Sequence, residues 1–378
     1  MQYNELRSQY QGSAVTESKP FDVELISNLV ETMANGKVAG LDELSVEHLK
    51  FCHPIIMCIL YKLFNLFITT GHIPGDFGAS YTVPIPKCDG RSRALSVDDF
   101  RGISISSVIS KLFEMAIQHK FATYFITSDQ QFGFKKHLSC NHAIYCVRNV
   151  VESFIANRST VNVCTLDLSK AFDRVNHHAL LIKLMKRKLP IEVLSVLECW
   201  FSVSKTCVKW NTHTSKFFKL IAGVRQGGVH SPLLFAIFID DIILKAAECK
   251  SGCSVSFVFV NIFLYADDIV LIAPTVTGLQ RLLNVCEIEL VNLDMHINVS
   301  KSMCIRFGPR FNNPCAELTS IHGGTLKWVN SCRYLGVYFV CGCTFKCSFA
   351  QAKSKLFHAF NAIYSKIGRN ASEVTILT

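Results

Sequence analysis

The chain has 378 residues, of which 49% are hydrophobic and 18% charged, with a formal net charge of +10. That apolar content supports a large core or two merged ones, and it excludes a chain held unfolded by charge. The basic balance favours a polyanionic partner, either nucleic acid or an anionic surface. Seventeen cysteines lie scattered without a repeating frame, and the opening residues, MQYNELRSQYQGSAVTESKP, lack an apolar signal core. A reducing intracellular compartment, nucleus or cytoplasm, is therefore expected, with no disulfide framework.

Residues 1–20 read as a flexible leader. Helical patterning begins at Phe21 and runs through VELISNLVETMANG, with Gly36 as its stop. Ser45, three residues before His48, is a weak capping signal. The run IIMCILYKLFNLFI (55–68) comes closest to a membrane span, but it contains Lys62 and is too short to cross a bilayer. It reads as a core helix. A short β-like piece at 81–86 leads into a basic, glycine-containing loop. Arg101 and Gly102 then precede a serine-rich entry to an amphipathic helix with Ile109, Leu112, Phe113 and Ala116 on one face. Helix also suits 142–155.

From Val161 the pattern becomes strand, VNVCTLDLS. Helices are expected at 179–189 and 191–200, split by Pro190, and strands at 206–211 and 217–222. The loop GVRQGGVHSP (223–232) feeds the apolar helix LLFAIFIDDII. Two apolar runs, VFVNIFLY and IVLIAP, flank Ala266, Asp267 and Asp268, which reads as a hairpin with an acidic tip. A helix at 278–293 and strands near 304–307 and 334–340 follow. The last helix carries Phe349, Ala352, Leu356, Phe360 and Ile363 at three- and four-residue spacing. Strands and helices interleave without a regular βαβ period, so the expected class is α+β, one antiparallel sheet backed by helices.

Aspartate is common in turns, so the tip alone reads equally well as a solvated turn. Asp167 is more telling. It leaves an apolar run without alternation, the pattern of a strand buried on both faces. If Asp167 and Asp267 converge, their repulsion at about 4 Å is on the order of 1 to 4 kcal/mol. Protonating one group or binding a hard cation relieves it. Magnesium favours carboxylate oxygens combined with substrate phosphates. Two such ions can clamp the attacking and leaving oxygens of a phosphoryl transfer.

The runs LDLSKAFDRVNH, GVRQGGVHSPLLFAIFIDD and YADD occur in that order. With GKVAGLDELSVEHLK, VPIPKCDGRSRALSVDDFRGISI, QFGFKK, NVSKS and RYLGV, they resemble the reverse transcriptases of non-LTR (LINE-type) retrotransposons over residues 35–336. The resemblance implies a right-hand polymerase fold. Fingers with part of the palm would occupy 21–160 and the palm 161–308. A primer-grip hairpin and the start of a truncated thumb would occupy 309–378. It implies RNA-directed DNA polymerase activity on an RNA template, a DNA primer and deoxynucleoside triphosphates, with no membrane partner. Two Mg2+ ions, or Mn2+ in their place, would be held by Asp167, Asp267 and Asp268.

By the same resemblance Phe172 would sit under the incoming sugar and exclude a 2′-hydroxyl. On composition alone it reads as a packed core aromatic. Gln226 and Gly227 would form a nucleotide-facing turn, or else an ordinary helix entry. Lys87 and Arg101 would meet the triphosphate, or else be solvated surface charges. Lys301 resembles a lysine proposed to protonate the leaving pyrophosphate, or else is an ordinary surface lysine. Tyr334, Leu335 and Gly336 resemble the primer-grip hairpin, and by pattern alone a buried strand. The sequence departs from the family at Gly228-Val229-His230, where many relatives carry Cys-Pro-Leu, which leaves His230 open to altering nucleotide or template contacts or to reporting relaxed selection. With its short thumb the chain also admits a second reading, a catalytically impaired relic that only binds nucleic acid. A third, a two-metal nuclease, needs neither Phe172 nor the Gln-Gly loop. Cys332, Cys341, Cys343 and Cys347 lack paired CxxC spacing and read as small apolar residues rather than a zinc site.

Overall fold

Two sheets organise the chain, each within its own unit. The computed structural model describes residues 2–13, 15, 19–87 and 96–367, so the basic loop expected after residue 87 lies mostly outside the described residues. The first unit comprises Met1–Lys136, Leu168–Lys245 and Ile288–His296; the second comprises His137–Asp167, Ala246–Glu287 and Ile297–Thr378.

In the first unit, strand Phe100–Ser106 pairs antiparallel with Ala79–Pro86, which lies parallel to Lys205–Trp210. Two short strands, His213–Thr214 and Phe218–Lys219, each pair antiparallel with Lys205–Trp210. The helices pack through aromatic side chains. Phe21, Phe64 and Phe113 are essentially unexposed. The Phe64 and Phe113 rings lie 4.8 Å apart, and Phe113 stacks on Trp200 at 5.6 Å. The apolar run near residue 60 becomes helix Ile55–Thr70, which buries Met57, Leu60, Phe64, Phe67 and Ile68 and stops at left-handed Gly71. No helix of the described residues is long and apolar enough to cross a membrane. The leader departs from expectation. Gln2–Gln9 is a helix whose Arg7 pairs with Glu198 at 2.8 Å and whose Tyr3 stacks on His178. A polar helix pinned by an ion pair leaves no apolar stripe in the sequence.

The second unit holds a six-stranded sheet with Val161–Leu166 near its centre. Met303–Phe307 pairs antiparallel with it on one side and Asp268–Ala273 on the other. Ile262–Tyr265 closes one edge, while Thr325–Trp328 and Leu318–Thr319 extend the other. Val161, Val163, Cys164 and Leu166 are at most 2% exposed, as a strand covered on both faces requires. Helix Cys140–Ala156 backs this sheet and buries Ala143, Val147, Val150 and Val151. The α+β reading, with a largely antiparallel sheet backed by helices, holds.

Two expected strands break into hairpins. Residues 334–340 divide into Ser331–Tyr334 and Val337–Val340, joined through Leu335 and Gly336 with φ of +46° and +87°. Positive φ at both turn residues matches the twist of the flanking strands. The run before the acidic tip is interrupted at Asn261, which is buried and donates its side-chain amide to the Ala246 carbonyl at 2.6 Å. Strands Cys253–Val255 and Val258–Val260 form a separate hairpin before it. Helix Ala350–Ile367 buries none of its residues, so its apolar stripe stays exposed.

Candidate active site

The sheet register sets the acidic cluster. Ile269 pairs with Leu166 at the end of the ladder between Asp268–Ala273 and Val161–Leu166. Asp167 and Asp268 are the next residues outward on these neighbouring strands. Asp268 also pairs with Tyr265, leaving Ala266 and Asp267 as a two-residue turn. Ala266 is left-handed at φ +56°. That conformation costs a non-glycine residue about 1 kcal/mol, and such outliers concentrate at functional sites. Asp167 is fixed through its backbone. Its N–H donates to Ser302 Oγ at 3.2 Å, and its carbonyl accepts the Asn298 N–H at 2.7 Å. Lys301 Nζ lies 3.7 Å from Asp167 Oδ2.

The charges are not independent. Burial pushes the Asp268 carboxyl up to about 6, helped by the negative charges of Asp267 and Asp167 and opposed by Arg333. Tyr334 is 3% exposed, and its hydroxyl has no hydrogen-bond partner. Burial first, then the Asp268 charge, holds that phenol protonated. Of the three residues expected to form a primer grip, Tyr334 therefore lies beneath the surface, and Leu335 and Gly336 form the accessible turn.

Three carboxylates offer hard oxygen donors, and their mutual repulsion gives a divalent cation a purpose. Among the described residues, no three His, Cys, Asp or Glu side chains are close enough to hold an ion by themselves.

The remaining candidates belong to the first unit. Lys87 is exposed and donates to the Asp98 carbonyl at 2.8 Å. Arg101 is exposed opposite Ile85 in the sheet. Phe172 is half-buried, stacked on buried Phe235 at 4.5 Å with the edge of Phe134 beyond. The Gln226 side chain bonds to Asp173, whose carboxyl is raised by desolvation and drawn back by that bond and by the Lys170 and Lys87 charges. Lys87 and Gln226 thus share one neighbour, Asp173, which the sequence reading passed over. Gly227 has φ +118°, and a Cβ there would meet the Ser104 carbonyl oxygen at 2.5 Å. Only glycine lets the loop approach strand Phe100–Ser106, where the Ser104 N–H donates to the Gln226 carbonyl at 2.7 Å.

With this arrangement in hand, residues 85–339 match the family described as reverse transcriptase (RNA-dependent DNA polymerase), well over half of the chain. The chain belongs to the reverse transcriptase family. It is 26% identical over 300 residues to the Pol polyprotein of the type-2 retrotransposable element R2DM of Drosophila melanogaster, covering 78% of this chain and 28% of that protein. It is 26% identical over 362 residues to the RNA-directed DNA polymerase of the mobile element jockey of Drosophila funebris, covering 92% of this chain and 38% of that protein. The chain spans well under half the length of either relative. A solved apo telomerase of Candida tropicalis, truncated of its C-terminal domain, superposes with a TM-score of 0.48 at 15% identity, over 78% of this chain and 60% of that one.

Within this member of the family the loop at 225–230 is anchored by two charged side chains that carried no sequence signal. Buried Glu114 accepts the N–H groups of Val229 and His230 at 2.5 and 2.9 Å. These lie at the N-terminus of helix Ser231–Ile239, where an anion is favoured by unpaired N–H groups and the helix dipole. Burial nonetheless raises the Glu114 carboxyl, an effect opposed by these bonds and by Arg225. Arg225 donates from Nη2 to the Gly78 carbonyl at 2.8 Å and to Ser204 Oγ at 3.0 Å. His230 is 4% exposed and lies edge-on to Phe125 at 4.6 Å, its pKa lowered by burial to about 4. It is a neutral core residue, which corrects the expectation that its side chain alters nucleotide or template contacts.

Two outcomes follow. Asp268 has a folded pKa above its unfolded value, so the metal-free fold gains from this group in acid and loses that gain as pH rises from about 4 to about 6. Asp268→Asn removes the penalty. In chelator-containing buffer the variant should be more stable than the parent at pH 8 by about 1 to 2 kcal/mol, allowing for partial solvation, and the difference should vanish near pH 4. Urea unfolding at the two pH values measures it. Glu114→Ala, which strands two buried N–H groups, should cost about 2 to 4 kcal/mol, whereas Glu114→Gln keeps an acceptor and should cost less. Equal losses in urea midpoints would contradict the anchoring role.

Proposed function

We propose that this chain is the polymerase core of an RNA-directed DNA polymerase of a non-LTR retrotransposon, which extends a DNA primer on an RNA template by two-metal nucleotidyl transfer. The observation that carries this reading is the placement of Asp167 and Asp268 side by side at the strand ends, with Asp267 in the adjoining turn. Two Mg2+ ions, or Mn2+ in their place, would supply Lewis acidity to the primer 3′-hydroxyl and to the leaving pyrophosphate when bound. Asp167 and Asp267 would hold them, with Asp268 as the neighbouring carboxylate.

In the reaction the 3′-oxygen bonds to the α-phosphorus as the bond from that phosphorus to the bridging oxygen breaks. The hydroxyl proton leaves to solvent or a base. Lys301, already beside Asp167, gives a proton to the departing pyrophosphate. Lys87 and Arg101 engage triphosphate oxygens, the arginine through its planar fork. Gln226 and Gly227 line the incoming nucleotide. Phe172, fixed on one face by Phe235, opposes a 2′-hydroxyl with the other. Leu335 and Gly336 support the primer end, with Tyr334 beneath them.

Primer extension on an RNA template in Mg2+ tests the assignment. Asp267→Asn should lower extension by at least about 100-fold, the scale on which transition-state charge stabilisation is lost. Extension equal to the parent's would remove the two-metal reading, and primer degradation without added nucleotides would point to a nuclease instead. Phe172→Val should admit ribonucleotides. Unchanged discrimination between ribo- and deoxyribonucleotides would show that Phe172 serves only as core.

A further inference from the structure

Asp173, the residue after Phe172, is an acid that the proposed reaction does not use. It sits among positive charges, since Lys170 and Lys87 both act on its carboxyl. Lys170 also pairs with Asp98 at 2.7 Å, and Lys87 donates to the Asp98 carbonyl at 2.8 Å. A carboxylate beside residues proposed to engage a triphosphate repels that substrate. Its presence there needs a compensating task, and the side chain that donates to it is Gln226.

The backbone holds both partners. The Asp173 N–H donates to the Lys170 carbonyl at 3.0 Å. Gly223 and Val224, which lead into the Gln226 loop, donate to the carbonyls of Val175 and Phe172 at 2.8 and 2.9 Å. Gly223 has φ +86°, and a Cβ there would meet the Asp173 carbonyl oxygen at 2.9 Å, so glycine is what lets the loop lie this close. Gln226 is tied in turn by its carbonyl to the Ser104 N–H. A side-chain bond between two segments already fixed costs little further entropy.

The chemistry of the pair sets the amide's direction. An ionised carboxylate only accepts, so the Gln226 amide nitrogen must face Asp173. The amide oxygen is then turned away from that carboxylate and remains free as an acceptor. Without Asp173 the oxygen and nitrogen ends are nearly equal in shape, and either can face outward. We propose that Asp173 is a positioning residue that acts through Gln226, holding the amide so that its oxygen meets a hydrogen-bond donor of the incoming nucleotide. This rests on the nucleotide-lining role given to Gln226 above.

A double-mutant cycle on single-nucleotide primer extension tests it, read as nucleotide KM and kcat with urea midpoints as the control. Asp173→Ala should raise KM by about 5- to 20-fold with kcat little changed, the mark of lost binding rather than lost chemistry. Asp173→Asn, which keeps an acceptor oxygen, should raise it less. In a Gln226→Ala background, Asp173→Ala should change KM by less than about 2-fold, because its route is gone. An equal rise in both backgrounds would overturn the proposal. A fall in KM in both Asp173 variants would do the same, marking the acid as no more than a charge near the triphosphate. So would a rise matched by lost urea midpoint in both variants, which assigns Asp173 to folding alone.

NMR of the chain labelled at its glutamine side-chain amides, without nucleic acid or nucleotide, reads the pairing separately. The Gln226 amide protons should move upfield in Asp173→Ala. Unchanged resonances would overturn the proposal even where the parent extends primers. A parent that never extends primers while those protons move refutes the polymerase reading and upholds Asp173 as the group that orients Gln226.

Discussion

Like charges held together at the end of a sheet set the terms for the second unit. Asp167, Asp267 and Asp268 meet because an antiparallel register places two strand ends side by side and a two-residue turn adds the third carboxylate. The visible cost is the Asp268 carboxyl, driven towards protonation by burial and by its two neighbours. Left-handed Ala266 adds backbone strain at the same point. Local penalties of this kind persist only where the surrounding fold offsets them. Here the offset is the fully buried central strand, with Asp167 tied at both backbone groups and Lys301 beside its carboxylate.

The first unit solves a different problem, holding a glycine loop against a sheet edge. Gly227 permits the approach, and Glu114 and Arg225 fix the loop from below. A buried side chain that serves backbone groups resists displacement because leaving strands those groups: Glu114 would strand the Val229 and His230 N–H groups, and Arg225 the Gly78 carbonyl. Preorganisation of this kind suits a segment proposed to line an incoming nucleotide, since geometry set during folding need not be assembled at each turnover.

Most of the architecture was legible wherever hydrophobic pattern was strong. The buried strand VNVCTL, the core helix near residue 60, the helix opening at Ser231 and the hairpin flanking the acidic tip all follow from runs of apolar residues. The misses share a cause: they depend on polar partners distant in sequence. The leader helix is fixed by Glu198 and His178, nearly two hundred residues away. Glu114 serves a loop 115 residues downstream, and Asp173 meets Gln226 across the chain. His230 looked like a departure at the site because it sits inside a recognisable motif, yet its environment is Phe125 and the core. Tyr334 likewise sits within a motif that points to primer contact, although only the turn after it reaches the surface. Motif letters identify neighbourhoods; which side chain faces outward is decided by strand register and turn geometry.

The most direct test of the carboxylate cluster is anomalous diffraction from crystals grown with Mn2+, an RNA–DNA primer–template and a non-hydrolysable deoxynucleoside triphosphate. Two anomalous peaks about 3.5 to 4 Å apart are predicted, with Asp167 and Asp267 oxygens about 2.0 to 2.2 Å from metal. Crystals containing the same nucleic acid and nucleotide, but with manganese elsewhere and the Asp167 carboxylate turned away from the Asp267–Asp268 turn, would contradict the account.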